Sequence, residues 1–351
     1  MKIDVASLVP KKTSKGHEIV TIKNGKNITI LYKSNYGRNK QLKIKRFVEL
    51  NDLFFEGFGL IEGDGDKAKF IGFTNSEFSI LRHFLEFMEK CFGFSRDLFS
   101  VRLLLPVGTN PEEAKNEVKK ELNLKDHIIR FGFRKNHKSL VVNLYNRKET
   151  IDVVFRILYQ LSRRMANENK SYAIPYLRGV TAAEGTVQRR NTTKSLFAVK
   201  ISSTDIENTR LYKNLLRLCD IEFGKDERDC IPIRHLMNFL KMNKCNLMKI
   251  SERKKEKFKE GLDVLEMKKK MLLDHGVTKG RIIRILNSYG SMTAPELLVK
   301  LRKTRETQDR PTLYRHLYEL EKKNEIKKVG IKTIRRPYHQ INIWSIANPS
   351  K

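Results

Sequence analysis

A short pattern rich in small residues occurs twice in this chain, about a third of its length apart. The first copy covers residues 57–65 (GFGLIEGDG) and the second covers residues 177–185 (LRGVTAAEG). Each copy has two small residues four positions apart, and an acid follows at once. Glycine inside a helix costs about 1 kcal/mol relative to alanine, so its repeated use needs a compensating contact. The spacing therefore predicts two helices that touch backbone to backbone.

The acids at the eighth position of the two copies are candidate functional residues. Positions i and i+4 share one helix face, so the small residues of one copy would face those of the other. These residues are Gly59 and Gly63 in the first copy and Gly179 and Ala183 in the second. Asp64 and Glu184 would then lie side by side where the helices end. Two adjacent carboxylates beside a polyanion are suited to a divalent cation.

This arrangement resembles the LAGLIDADG homing endonuclease family, whose name spells the motif of its paired helices. The resemblance covers about residues 45–270, and two copies in one chain are similar to the monomeric members of the family. The chain departs from the pattern at three positions. Gly57 occupies a position where the pattern has leucine, and Glu62 one where it has aspartate. In the second copy, Ala182 replaces the sixth-position acid.

The resemblance implies a fold, a cofactor and a site. The implied fold is α+β, with two pseudo-symmetric αββαββα-like halves that form a DNA-binding saddle. Asp64 and Glu184 match the metal-binding eighth position, so they would be the catalytic residues and would bind Mg²⁺ or Mn²⁺. The residues just before them, Gly63 and Ala183, would bind the same metal through their backbone carbonyls.

The charge of the chain favours a polyanionic partner. Lys and Arg number 71 and Asp and Glu number 40, which gives a net charge of +31. Such a charge costs self-repulsion, and each phosphate that it neutralises releases condensed counterions. We therefore expect double-stranded DNA as the partner, with structured RNA as the alternative. A lysine-rich composition unrelated to binding stays open as the other explanation.

The cysteines and the hydropathy pattern limit where such a chain works. The four cysteines show no C-x-x-C spacing, which predicts reduced thiols and no zinc site. No apolar run reaches membrane-spanning length, and no signal-peptide apolar segment follows the first residues. We expect a cytoplasmic monomer without membrane contact, associated with the nucleoid when bound to DNA.

The order of predicted elements divides the chain into four parts. Residues 17–32 alternate around Asn24-Gly25, which predicts a β-hairpin within an N-terminal extension over residues 1–45. The first half covers residues 46–165, with helices at 47–63, 77–92, 111–122 and 149–161 and strands at 69–74, 98–105, 128–133 and 140–145. Polar residues 162–171 are interpreted as the joint between the halves.

The second half covers residues 166–272 and has a shorter element order. Helices are predicted at 172–183, 208–218, 233–241 and 252–270, and strands at 196–201 and near Ile221. Basic residues beside the strands of both halves are candidate DNA contacts. They are Lys67, Lys69, Arg189, Arg190, Lys194 and Lys200.

The C-terminal part, residues 276–351, resembles a winged helix-turn-helix. It carries 17 Lys and Arg against 6 Asp and Glu, and we expect helices at 278–288, 293–301 and 310–322 and wing strands at 325–331 and 340–346. A recognition helix enters the major groove while basic wing residues touch phosphates. Its candidate DNA contacts are Arg310, Thr312, Tyr314, Arg315, Lys332, Arg335 and Arg336. A protein-docking role stays open, and Trp344 is expected in the core of this part.

Two functions remain open from the sequence. The first is a site-specific double-strand DNA endonuclease that hydrolyses phosphodiester bonds. The second is a non-cleaving nucleic-acid-binding protein on the same scaffold, either a transcriptional regulator or an intron RNA maturase. Asp64 taken alone could be a capping or loop acid. Acids at both eighth positions favour the enzyme, because a pure binder has no need of them.

Overall fold

The structure is a computed structural model that describes residues 1–12, 16–33, 39–66, 71–124, 129–135, 139–146, 149–275, 279–301, 310–335 and 338–347. The fold is α+β, as predicted, and it divides into two compact units over residues 1–262 and 263–351. The four predicted domain boundaries stay predictions. Within the described ranges, no helix is both long enough and apolar enough to cross a bilayer.

The N-terminal segment forms two small antiparallel sheets. Its strands are β1 (Lys2–Asp4), β2 (Ile19–Asn24), β3 (Asn27–Lys33), β4 (Asn39–Lys45) and β5 (Phe47–Glu49). β2, β3 and β4 form one sheet, and β1 pairs with β5 in the other. The predicted hairpin is confirmed, since Asn24 lies opposite Asn27 and Gly25 has the positive φ of 61° that its tight turn requires.

The first motif helix begins later than predicted. Residues 47–63 were expected to form one helix, but Phe47–Glu49 is β5 and the helix starts at Asp52. The side chain of Asn51 accepts a hydrogen bond from the backbone N–H of Phe54 at 3.0 Å and so caps the helix start. Asparagine is a strong N-cap residue, and it ends the extended segment at this point.

The elements of the first half surround one five-stranded sheet. They are α1 (Asp52–Asp64), β6 (Gly65–Asp66), β7 (Ile71–Asn75), α2 (Phe78–Phe92), β8 (Ser100–Pro106), α3 (Pro111–Leu122), β9 (Ile129–Arg134), β10 (Val141–Asn146) and α4 (Glu149–Glu168). The strand order is β6-β7-β10-β8-β9, and only the β8–β9 pair is parallel among the described strands of this sheet. Val101, Leu103 and Leu144 are buried on one face, while Arg102 on the other face is exposed. This half matches the predicted order closely.

The second half has three described strands, one fewer than the αββαββα pattern requires. Its elements are α5 (Lys170–Glu184), β11 (Gly185–Arg189), β12 (Leu196–Ser202), α6 (Ile206–Leu218), β13 (Cys230–Ile233), α7 (Leu236–Lys244) and α8 (Glu252–His275). Its described strands form one antiparallel sheet in the order β11-β12-β13. The order αββαββα is therefore wrong for this half, because β13 alone follows α6 in the sheet.

Two local predictions in the second half also fail. Ile221 lies in the loop after α6 and not in a described strand. Its side chain is nevertheless buried, with only 1% exposed. Ile233 was predicted to begin a helix, but it ends β13, where it pairs with Val199. Ile221 is therefore buried without belonging to a strand, and Ile233 belongs to a strand instead of a helix.

The joint between the halves is a single residue. α4 continues to Glu168, and only Asn169 separates it from α5. Residues 162–168 are mostly polar but contain no glycine or proline, so they continue the helix with Ala166 buried. The Asn169 side chain then accepts a hydrogen bond from the backbone N–H of Ser171 and caps α5.

The described residues of the unit over 263–351 form three further helices and a small sheet. They are α9 (Lys279–Tyr289), β14 (Met292–Thr293), α10 (Ala294–Leu301), α11 (Arg310–Lys322), β15 (Ile326–Arg335) and β16 (Tyr338–Ile346), with the strand order β14-β16-β15. Trp344 is fully buried in its core with Leu297, Leu313 and Leu317, as predicted. Thr293 and Glu296 form a capping box at the start of α10, since each side chain accepts a hydrogen bond from the other residue's backbone N–H.

Candidate metal centre and nucleic-acid interface

The two motif helices touch backbone to backbone, as their small residues predicted. A Cβ added to Gly59 would overlap the carbonyl oxygen of Tyr176 and would lie 3.1 Å from the Cα of Gly179. A Cβ added to Gly179 would lie 2.6 Å from the backbone nitrogen of Leu60. Real Cβ atoms are essentially never found closer than 3.0 Å to such atoms, so α1 and α5 approach to a distance that only glycine allows at these two positions.

The two helices also end in the same way, which places the two acids in equivalent positions. Asp64 is the last residue of α1, and Glu184 is the last residue of α5. The next residues, Gly65 and Gly185, have nearly the same extended conformation, with φ and ψ of −80° and 143° and of −74° and 139°. A Cβ on Gly65 would lie 2.6 Å from the carbonyl oxygen of Ile61, so glycine is needed here for space.

The side chain of Glu184 reaches across the interface to the end of α1. A Cβ added to Gly63 would lie 2.9 Å from Cγ and 3.5 Å from Oε1 of Glu184. Gly63 directly precedes Asp64, so the structure brings the two candidate acids to the same place. Among the predicted metal ligands, Gly63, Asp64, Ala183 and Glu184 all lie at this helix junction.

Asp64 is held by a neighbour that the sequence did not single out. Asn75, the last residue of β7, donates a hydrogen bond from Nδ2 to Oδ2 of Asp64 at 2.6 Å. Burial raises the pKa of the Asp64 carboxyl, and it outweighs the opposite effects of the Asn75 hydrogen bond and of the Lys254 charge. The ionised form of this carboxylate is therefore costly, and a cation would stabilise it.

A cation of the chain itself lies at this junction. The ammonium group of Lys254, on α8, donates hydrogen bonds to the carbonyl oxygens of Thr181 at 3.3 Å and Ala183 at 3.2 Å, and to that of Ala182. Burial lowers the pKa of Lys254 to about 8, although Asp64, Glu77 and Glu184 act in the opposite direction. Lys254 is one of many lysines on α8, and no local sequence signal distinguishes it from the others.

The residues present fit a hard divalent cation. Magnesium binds oxygen ligands, takes few protein carboxylates and keeps several waters, which suits two acids and the backbone carbonyls beside them. The acids also lie at the C-terminal ends of α1 and α5, where helix dipoles add negative potential. In the described part of the chain, no group of three or more His, Cys, Asp or Glu residues could hold a metal ion.

Two further acids of α1 are buried and bound to cations and hydroxyls. Oε2 of Glu62, at the sixth motif position, accepts hydrogen bonds from the hydroxyls of Tyr159 at 2.7 Å and Tyr176 at 2.6 Å. Oε1 of Glu56 accepts hydrogen bonds from Arg178 and Lys249, each at 3.0 Å. These bonds join α1 to α4, α5 and the segment before α8, so we assign both acids a structural role.

The open face of the five-stranded sheet carries a polar row that crosses four strands. Thr74 lies opposite Asn143, Asn143 lies opposite Arg102, and Arg102 lies opposite Arg130 in the parallel pair. The hydroxyl of Thr74 donates to Oδ1 of Asn143 at 3.1 Å, and Thr74, Arg102 and Arg130 are exposed. In protein–DNA complexes, arginine, asparagine and threonine side chains contact base edges and phosphates. The alternation of buried and exposed residues in β8 was visible in the sequence, but the pairing was not.

The candidate DNA contacts of the second half are largely engaged within the protein. Arg189 pairs with Glu260 at 2.5 Å, and Lys200 pairs with Glu227 at 2.7 Å. The guanidinium of Arg190 lies 5.5 Å from the centre of the Phe197 ring. Lys194 is exposed in the turn between β11 and β12, with a φ of 55°. Lys67 and Lys69 lie outside the described residues.

The candidate contacts of the C-terminal unit are not equally accessible. On α11, Arg315 is exposed, Thr312 is half-buried, and Tyr314 packs partly buried against the core. Lys332 on β15 donates to Oε1 of Glu296 at 2.8 Å and remains 57% exposed. Arg310 begins α11 and Arg335 ends β15, while Arg336 lies outside the described residues. The exposed stripe of α11 is Pro311, Arg315, Tyr318 and Lys322.

Comparison with known proteins finds similarity only among solved structures. No protein-family profile matches the chain, and no curated protein sequence matches it. Full-length DUF199/WhiA from Thermatoga maritima is similar at 14% identity over 77% of this chain and 90% of that chain, with a TM-score of 0.36. The N-terminal LAGLIDADG domain of DUF199/WhiA is 15% identical over 57% of this chain and 84% of that chain, with a TM-score of 0.34. Mesophilic variants of the homing endonuclease I-DmoI are 16% identical over 56% of this chain and 95% of that chain, with a TM-score of 0.32.

Proposed function

We propose that the protein is a site-specific double-strand DNA endonuclease whose single composite site contains Asp64 and Glu184. The observation that supports this most is the contact between α1 and α5, which brings one acid from each helix end to the same junction. Two carboxylates at two helix C-termini destabilise a folded protein unless a cation binds between them. A divalent-metal site explains why both acids are present.

The chain's own residues would bind and orient the metal. Asp64 and Glu184 would hold Mg²⁺ or Mn²⁺, with the carbonyls of Gly63 and Ala183 as further ligands, as the LAGLIDADG resemblance implies. When bound, the metal would supply an activated water nucleophile and would stabilise charge on the leaving oxygen of the phosphodiester. Asn75 donates a hydrogen bond to one oxygen of Asp64 and so restricts the orientation of its carboxylate.

The open face of the five-stranded sheet would hold the duplex of the target site. Arg102 and Arg130 can contact phosphates or guanine edges, while Asn143 and Thr74 can contact base edges. This row would supply much of the sequence discrimination of the first half. We also propose that the five-stranded sheet of the first half and the three-stranded sheet of the second half together form the DNA-binding saddle.

The C-terminal unit is proposed to be a winged helix that adds a second DNA contact. Its three helices and its sheet in the order β14-β16-β15 are consistent with that fold. The exposed stripe of α11 would enter the major groove, with Arg315 nearest the bases, while Lys332 on the long β15–β16 hairpin would contact phosphate.

A second candidate function is a non-cleaving nucleic-acid-binding protein, either a transcriptional regulator or an intron RNA maturase. One observation favours it. The ammonium of Lys254 is hydrogen-bonded to the carbonyl of Ala183, which is one of the proposed metal ligands. A binder without catalysis could use this lysine as the permanent cation of the helix junction.

The two functions are separated by a selection followed by a cleavage assay. The full-length protein selects bound duplexes from random DNA, and the enriched duplex is then incubated with the protein and Mg²⁺. The endonuclease proposal expects cleavage of both strands with short staggered ends. Tight binding without cleavage in either Mg²⁺ or Mn²⁺ would instead support the regulator, and preferential enrichment of structured RNA in a parallel selection would support the maturase.

A further inference from the structure

We propose that Lys254 is a tethered cation that occupies the helix junction in the absence of metal, so that a divalent ion must displace its ammonium group to bind there. This inference rests on the proposed metal site at Asp64 and Glu184. The inference adds that a side chain of the protein itself competes with the metal for this site.

The hydrogen bonds of Lys254 show that its ammonium is seated in a specific position. An ammonium group has three N–H donors, and Lys254 directs them to the three consecutive carbonyls of residues 181–183 at the end of α5. A lysine that only covered the surface would leave its ammonium in water. Lys254 is instead only partly exposed, whereas Lys255 next to it is exposed.

The charges around the ammonium explain why it is held there. The C-terminal end of α5 carries negative dipole potential, and Asp64, Glu77 and Glu184 all interact favourably with the charge of Lys254. Asp64 is itself partly buried. Without a cation, these groups would destabilise the helix junction. Lys254 therefore supplies the positive charge that a metal would otherwise supply.

The ammonium and a metal compete for the same atoms. The Ala183 carbonyl oxygen accepts a hydrogen bond from Lys254 at 3.2 Å, and it is also the proposed ligand from α5. An ammonium and a divalent ion that share this oxygen would repel each other strongly at so short a distance. The long, flexible lysine side chain can leave the carbonyls, and the metal would then bind in its place. If Lys254 merely capped α5, its removal would leave metal affinity unchanged.

The test measures Mn²⁺ affinity of the full-length, DNA-free protein from the electron paramagnetic resonance signal of free Mn²⁺. Wild type is compared with Lys254→Met and with Lys255→Met, which removes the same charge one residue away. We expect Lys254→Met to bind Mn²⁺ about tenfold or more tightly than wild type, and Lys255→Met to match wild type. Equal or weaker binding by Lys254→Met, including no binding by either protein, would overturn the proposal.

A second variant and a second measurement distinguish a change in metal affinity from misfolding of the Lys254→Met protein. Lys254→Gln keeps a hydrogen-bond donor at this position but removes the charge, and it should also bind Mn²⁺ more tightly than wild type. Saturating Mn²⁺ should raise the melting temperature of both Lys254 variants by more than it raises that of wild type. An equal or smaller increase in the variants would count against the tethered cation. Tighter Mn²⁺ binding with no DNA cleavage would leave this inference standing and remove the endonuclease proposal.

Discussion

Gly59 and Gly179 lie against each other at the centre of the helix pair, so close that a Cβ on Gly59 would lie 3.1 Å from the Cα of Gly179. This contact sets the separation of α1 and α5 and thereby the separation of the acids at their ends. The helix pair and the candidate site therefore depend on the same two residues.

Gly59→Ala should destabilise the protein by about 2–3 kcal/mol, because the added methyl group would overlap backbone atoms of α5 that have no room to move. Urea denaturation of the full-length chain measures this change. The matched control is Gly280→Ala in α9, where a Cβ would meet nothing within 4 Å and alanine should be neutral or stabilising by up to about 1 kcal/mol. Equal stability of Gly59→Ala and wild type would show that the helices are not in backbone contact.

Asp64→Asn should fold at least as stably as wild type at neutral pH. The pKa of Asp64 is raised by burial, so its ionisation favours the unfolded state, and this loss of stability develops as pH rises from the unfolded-state value through the higher folded-state value. Asparagine avoids the charge and can still accept the hydrogen bond from Asn75. Melting temperatures between about pH 4 and pH 8 measure the difference, which should grow with pH. A variant less stable than wild type at neutral pH would contradict this account.

The C-terminal unit should lose stability in acid through Glu296. Hydrogen bonds from Lys332 and from the amide and hydroxyl of Thr293 lower the pKa of Glu296 to about 2, from an ordinary value of 4.5. A depressed carboxyl pKa stabilises the folded state above the ordinary value, and this stabilisation is lost as pH falls toward about 2. Because the pair is half-exposed, we expect about 1 kcal/mol at most.

Trp344 allows that loss to be measured in one unit alone, since it is the single tryptophan of the chain and is fully buried. Its fluorescence during urea denaturation should report a lower midpoint at about pH 3 than at about pH 6 for wild type. In Glu296→Gln the difference between the two pH values should shrink. A difference as large in the variant as in wild type would remove Glu296 from the explanation.

Arg102→Ala should weaken DNA binding and reduce its dependence on salt. A phosphate contact contributes about 0.9 to the slope of log K against log salt concentration, so the slope should fall by about that amount if Arg102 binds phosphate. The control is Lys120→Ala, which removes an exposed charge from α3 on the helix-covered side of the sheet. Fluorescence anisotropy with a selected duplex at several salt concentrations measures both slopes. Equal salt-dependence slopes for the two variants would show that the DNA does not contact Arg102 on the open face of the sheet.

Local sequence rules predicted both ends of α3, which carry strong capping residues. The bounds of α3 match the prediction residue for residue, because Asn110 caps its start, Pro111 is its first residue, and Asn123 ends it in a left-handed conformation. The helix through residues 162–168 was missed because polar residues without glycine or proline do not end a helix. Where a helix end has no capping residue, glycine or proline, its position depends on tertiary packing, which a local stretch of sequence does not reveal.

The candidate site was predictable only in part. The spacing of small residues and acids is a local pattern, so the junction of Asp64 and Glu184 followed from it. Lys254 lies about seventy residues beyond Glu184, among other lysines on α8, and only the tertiary fold selects it. The row from Thr74 to Arg130 depends on the register of four strands, which non-local pairing decides.

Strand-resolved cleavage of a selected duplex by wild type, Asp64→Asn and Glu184→Gln tests most directly whether the two acids form one catalytic site. Glu117→Gln, a change of the same kind on the exposed side of α3, serves as the control. We predict that wild type and the control cut both strands in Mg²⁺, while each acid variant binds the duplex nearly as tightly and cuts neither strand. Cleavage of both strands by Glu184→Gln, or binding without cleavage by wild type in every divalent metal, would contradict the account.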